Sequence, residues 1–203
     1  RRGARINLIP GRIVGFRMDP FSLQEFPAQD LSERLIYGSL PGILSVGALP
    51  DREIDLEAYV TTYLEEEIRA EAVVRDLGDF ARFLEFAASE SGGIINLRKL
   101  SQEIGVSHTT IGAYYQILED CLIAERVEPL TQSKTRKKLT KSEKYLFFDL
   151  GVRRLAAREG TKLSRDTLGM VFEQFIGLEL LRNTHIKGHG TKIRFWRDPD
   201  GPE

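Results

Sequence analysis

The string Ile104-Gly105-Val106-Ser107-His108-Thr109-Thr110-Ile111 decides how this chain is read. Leu97, Leu100, Ser101 and Ile104 lie at helical spacing before the turn, and Gly105 supplies the positive φ that a tight interhelical turn needs. Ser107 stands where an N-cap belongs, and Ile111, Tyr114, Tyr115 and Leu118 form one apolar stripe on the next helix. A short helix, a glycine turn and a serine-capped helix make a helix-turn-helix. An earlier helix carries Phe80, Phe83, Leu84 and Ala87 on one face and is expected to stop at Gly92-Gly93. Residues 122–129 read as a strand, the polar stretch to Glu143 as a loop, and residues 145–150 as a second strand. Residues 79–150 therefore read as a winged helix-turn-helix.

Outward from that module the elements are less regular. Toward the N-terminus, residues 13–16 read as a short strand, and a turn at Asp19-Pro20 leads into a short helix. Ser22 is expected to cap it, with Glu25 as capping-box partner. Residues 39–50 are rich in Gly and Pro and read as loop, followed by a helix over 56–69. Toward the C-terminus a helix runs from Gly151 to about 158. Another starts at Asp166 and carries Phe172, Phe175, Ile176, Leu178, Leu180 and Leu181. It is apolar nearly all round, so burial is expected. Residues 193–197 read as a strand. Asp198-Pro199-Asp200-Gly201 is turn chemistry that calls for a returning strand, so the chain is expected to be cut within a domain.

Charge is uneven along the chain although the total is balanced, with 29 Lys and Arg against 30 Asp and Glu. Residues 51–90 hold twelve acidic side chains and four basic ones, whereas residues 131–144 hold six basic ones opposed by Glu143 alone. One region repels phosphate and another attracts it. The single cysteine, Cys121, excludes an internal disulfide or thiolate cluster, and its apolar neighbours place it in the core. No apolar run approaches membrane-spanning length and no signal peptide is visible, so a cytoplasmic protein without membrane contact is expected.

The candidate nucleic-acid contacts fall in two groups. Lys134, Arg136, Lys137, Lys138, Lys141 and Lys144 in the wing are suited to neutralising phosphates, which would make binding salt-dependent. Ser107, His108, Thr109 and Gln116 lie at the start or on the outward side of the recognition helix. That helix has no Arg or Lys and ends in Glu119-Asp120, so the Arg–guanine contact is denied to it. Arg98 and Lys99 on the preceding helix can hold the backbone. The bland alternatives are a solvated hairpin loop and a winged helix used for protein contact.

Other short strings carry a resemblance: Gly11-Arg12, Asp19-Pro20-Phe21-Ser22-Leu23-Gln24-Glu25-Phe26, Phe172-Glu173-Gln174-Phe175 and Phe195-Trp196-Arg197-Asp198. With the helix-turn-helix string, Lys144-Tyr145 and Asp149, they resemble the uncharacterised C-terminal region that follows the ATPase core in bacterial and archaeal AAA-type ATPases. The resemblance implies four parts: residues 1–37 as the tail of an ATPase core, 38–78 as a helical linker, 79–150 as the winged helix, and 151–203 as the start of a restriction-endonuclease-like domain. The fold class expected is α+β and mainly helical, a winged helix-turn-helix between the end of an ATPase core and a nuclease-like α/β domain. ATP and Mg²⁺ are implied for the parent protein and no cofactor for this stretch, which contains no Gly-x-x-x-x-Gly-Lys-Ser/Thr loop. Arg12 would correspond to an arginine near the nucleotide, and Glu173 to an acidic residue near a nuclease-like metal site. Glu173 equally suits a local cap or a local pair.

His185 and His189 have the spacing of a helical metal pair, but Gly188 between them favours a polar loop over a zinc site. Two functions follow. One is DNA binding through the winged helix of an AAA-type protein. The other is a protein-interaction or oligomerisation module that docks on its own ATPase core, another subunit or a second copy.

Overall fold

The structure, a computed structural model, describes residues 17–28, 30–64, 66, 77–130, 142–188 and 191–196. It is α+β and mainly helical. Three short helices come first: α1 (Leu31–Tyr37), α2 (Pro41–Ser45) and α3 (Leu49–Ala58). The last runs on into a π-helical turn over Tyr59–Leu64. The expected loop over 39–50 is thus corrected. Pro41 and Pro50 sit in the first turns of α2 and α3, where a missing N–H costs nothing and the fixed φ suits a helix. The Ser22–Glu25 pairing does form, with the Ser22 N–H donating to Glu25 Oε2 at 3.0 Å, but it closes a single turn and no helix follows.

Next come α4 (Leu77–Ser89), α5 (Leu97–Ile104) and α6 (His108–Asp120). Local chemistry sets their ends. The Asn96 side chain accepts the Lys99 N–H at 3.0 Å, and Ser107 Oγ accepts the Thr110 N–H at 3.1 Å. Each cap is worth about 1 kcal/mol. Gly105 between them sits at φ 84°, ψ 21°, as the sequence requires. Ile111 and Leu118 have no exposed surface, and Tyr114 and Tyr115 are buried beside them. Their rings meet α4 edge-on, with Phe83–Tyr115 centroids 4.9 Å apart and Phe80–Tyr114 5.0 Å apart. Complete burial of each such apolar side chain stabilises the fold by about 1.5–3 kcal/mol.

Strands β1 (Ala124–Pro129) and β2 (Lys144–Phe147) pair antiparallel, with Ala124 opposite Phe147 and Val127 opposite Lys144. A two-residue β3 (Arg194–Phe195) joins the other edge of β1 in parallel, giving the order β2-β1-β3. The second strand stops at Phe147, short of the expected Leu150. The Asp149 side chain accepts the N–H groups of Gly151 and Val152 and so starts α7 (Leu150–Ala156). After Ser164, which forms a reciprocal cap with Thr167, comes α8 (Arg165–Lys187).

Strand β2 is buried on both faces, and its alternation divides the core. Tyr145 and Phe147 join the cluster built on Phe83, Ile111 and Leu118, which reaches back to Tyr37 and Leu56 and forward to Val152. Leu146 faces a second cluster with Leu35, Val127, Leu150, Val171, Phe175 and Leu178. The expectation that α8 is buried all round is corrected here. Val171, Phe175, Leu178 and Leu181 are buried, whereas Leu168, Phe172, Ile176 and Leu180 are 42–52% exposed along the opposite side. Among the described residues no helix is long and apolar enough to cross a membrane.

Candidate nucleic-acid interface

The outward face of α6 is where the apolar stripe left it. With Ile111, Tyr114, Tyr115 and Leu118 turned to the core, Ser107, His108, Thr109, Gly112, Ala113 and Gln116 are exposed. Gln116 donates to Asp120 Oδ1 at 3.1 Å, a surface contact that a competing partner can exchange at little cost. The face is small and polar and carries no Lys, Arg, Asp or Glu over its first two turns. Arg98 on α5 is exposed and makes no ion pair among the described residues, while Lys99 is held by Glu90 at 2.8 Å. Its hydrogen bond and charge contact with Glu90 raise the Lys99 pKa, which keeps the ammonium charged but engaged.

The foot of the hairpin is acidic. A groove of about 760 Å³ runs between the start of α5, the exposed side of α6 and the hairpin, lined in part by Leu97, Gly112, Gln116, Glu119 and Glu143. The Arg126 guanidinium lies 3.5 Å from Glu119 and 3.1 Å from Glu143, and the Tyr145 hydroxyl donates to Glu119 Oε1 at 2.7 Å. Among the described residues, one guanidinium between two carboxylates leaves no free cation at the C-terminal end of α6.

Lys134, Arg136, Lys137, Lys138 and Lys141 lie outside the described residues, as do Arg12 and His189. Lys144 is described, and its expected place among the phosphate-neutralising residues is corrected. Its side chain is 7% exposed and turned inward, with Nζ 3.0 Å from Glu173 Oε1 and 5.1 Å from the Phe195 ring centroid. The strand alternation forces this, because Lys144 shares the face of Leu146. Glu173 is correspondingly not buried: its side chain is 64% exposed on the rim of α8 and ion-paired. No group of three or more His, Cys, Asp or Glu among the described residues is placed to hold a metal, so these residues do not by themselves fit the Mg²⁺ that a nuclease-like site requires. His185 makes its contact with Asp19, Nδ1 donating to Oδ2 at 2.7 Å. Cys121 is half-buried at the end of α6, against the core as expected.

Sequence reading missed the polar frame that holds this face in place. Asp149 is fully buried and accepts N–H groups from both α7 and Ser39. Arg153 donates to the carbonyls of Ala88 and Ser89 at the end of α4, and Arg154 to Ile36 and to Glu53. Losing one side of such a buried charged contact typically costs about 3–5 kcal/mol.

With that frame in view, the family match is to the point. A family described as a domain of unknown function, DUF8612, matches residues 28–164, more than half of the chain. The chain belongs to this family. No curated protein and no solved structure matches it. The DUF8612 span takes in α1 to α7, both paired strands and Asp149, and ends at Ser164, the residue that caps α8. The DUF8612 span therefore contains α5, α6, the paired strands and the polar frame beneath them.

Proposed function

We propose that this chain binds DNA through a winged helix-turn-helix formed by α4 to β2, gripping the backbone more than reading bases. The observation that carries this reading is the contrast between the two sides of α6. Four large side chains fix it to the core, while Ser107, His108, Thr109 and Gln116 lie on the exposed face, where Ser107 and Gln116 bond only within the helix itself. A rigid helix with a polar, small-residue face is what major-groove entry requires. The six basic residues over 131–144, less the inward-turned Lys144, supply the charge that the helix lacks. By resemblance, the parent is an AAA-type ATPase, with ATP and Mg²⁺ acting upstream and a nuclease-like part starting at residue 151. The test is duplex binding by Thr109→Glu, which places a carboxylate on the exposed face. A fall in affinity of about tenfold or more supports the reading, and unchanged affinity removes α6 from the interface.

A protein-interaction role is the second reading, favoured by the half-exposed line of Leu168, Phe172, Ile176 and Leu180 on α8 and by the carboxylates at the foot of the hairpin. Light scattering with and without DNA separates the two. An assembly of copies that ignores DNA favours the second.

A further inference from the structure

Within residues 17–28, residues 19–23 run antiparallel to the C-terminal half of α8, and their contacts follow a regular step. Asp19 Oδ2 accepts from His185 at 2.7 Å, the Phe21 carbonyl from Arg182 at 3.1 Å, and Glu179 Oε2 accepts the Leu23 N–H at 2.9 Å. As the segment advances two residues, the helix retreats three. The Phe21 N–H also donates to Ser39 at 3.0 Å, and Arg34 holds the Phe26 carbonyl while lying 5.2 Å from that ring's centroid. Apart from the backbone bond to Ser39, these are contacts of polar and charged side chains with backbone and carboxylate. Pro20 and Ser22 are buried, Leu23 is the side chain of this segment that packs on the apolar cluster, and Met18 is 94% exposed.

At one end the contacts close into a ring. Arg17 lies 3.0 Å from Asp19 and 2.6 Å from Glu125 on β1, and His185 on α8 touches both carboxylates, Asp19 at 2.7 Å and Glu125 at 3.8 Å. Three elements distant in sequence meet there: the N-terminal segment, the hairpin and α8. A segment held by polar contacts over a core it barely joins opens locally, without the apolar clusters coming apart.

We propose that residues 17–28 form a releasable strap, and that the ring of Arg17, Asp19, His185 and Glu125 is its clasp, fastening the N-terminal segment to the hairpin strand and α8. Opening the clasp frees the strap as a unit and uncouples it from β1, while α4 to α6 stay folded.

Amide hydrogen exchange on the 203-residue chain tests this. Asp19→Asn and Glu125→Gln, on opposite sides of the ring, are each expected to speed exchange at Phe21 and Leu23 by about tenfold, with Ile111 unchanged within about twofold. Unchanged strap amides in either variant overturn the clasp, and Ile111 accelerating in step overturns the separability of the strap. The unsubstituted protein gives an independent reading in dilute urea. Exchange at Leu23 is expected to be nearly insensitive to urea, and that at Ile111 steeply dependent on it. Equal urea dependence at the two amides overturns the proposal.

Discussion

Asp149 accepts the backbone N–H of Ser39 at 2.6 Å, across 110 residues of sequence. The same carboxylate starts α7 through Gly151 and Val152, so one buried side chain joins the segment after α1 to the end of the hairpin. Burial raises its pKa, opposed by those N–H groups and by the Arg182 charge. The folded state therefore retains the proton to higher pH than the unfolded chain, and the stability contributed by this group declines as pH rises above the ordinary value of 3.8. Asp149→Asn turns an amide N–H toward backbone donors and is expected to cost about 1–3 kcal/mol. In urea titrations across pH, the advantage of Asp over Asn should narrow as pH rises through the acid range. A widening advantage would reverse the sign of the linkage.

Gly38 stands against the same carboxylate. Its φ of 76° with ψ of −154° lies in a region open essentially to glycine, and a Cβ there would overlap Asp149. Gly38→Ala should destabilise by about 2–4 kcal/mol. Asp149→Ala removes the overlap but not the backbone strain, so the added cost of Gly38→Ala in that background should shrink by about 1 kcal/mol or more. Strict additivity in the double-mutant cycle would show that the two residues do not meet.

Tyr145 and Tyr115 stack at 4.4 Å between centroids beneath the exposed face of α6, and burial raises both hydroxyl pKa values. Two of the six tyrosines should fail to ionise in an alkaline absorbance titration until the chain unfolds. Because the unfolded chain ionises them near 10.0, stability should fall as pH climbs past that value. Tyr145→Phe removes the bond to Glu119 and is expected to cost about 1–2 kcal/mol. Ionisation of all six in the folded protein would contradict the packing.

The exposed side of α8 gives a test from the opposite direction. Phe172→Ser with Leu180→Ser replaces side chains that already face water, so urea unfolding should change by no more than about 1 kcal/mol. A loss of several kcal/mol would mean that this face is covered in solution.

The local part of this structure was legible in the sequence. Gly105, Ser107 and the stripe from Ile111 to Leu118 act within a turn or two of themselves, and spacing reveals such effects. Asn96 capped α5 by the same local chemistry and could have been read from its place three residues before Lys99. Pro41 and Pro50 misled because proline breaks a helix interior but opens a first turn. Asp149 gave no local signal for Ser39, since that partner is fixed only when α1 and α7 pack. Lys144 looked like part of a basic run until strand alternation turned it toward Glu173. The open side of α8 was illegible for a similar reason, because apolar composition records what a helix can bury and not what lies against it.

Titration of duplex DNA binding against salt addresses the central claim most directly. Log affinity should fall linearly with log salt concentration. Substituting alanine for Lys134, Arg136, Lys137 and Lys138 together should lower the slope by about 3–4. Binding indifferent to salt, or a slope that survives those four substitutions, would contradict the account.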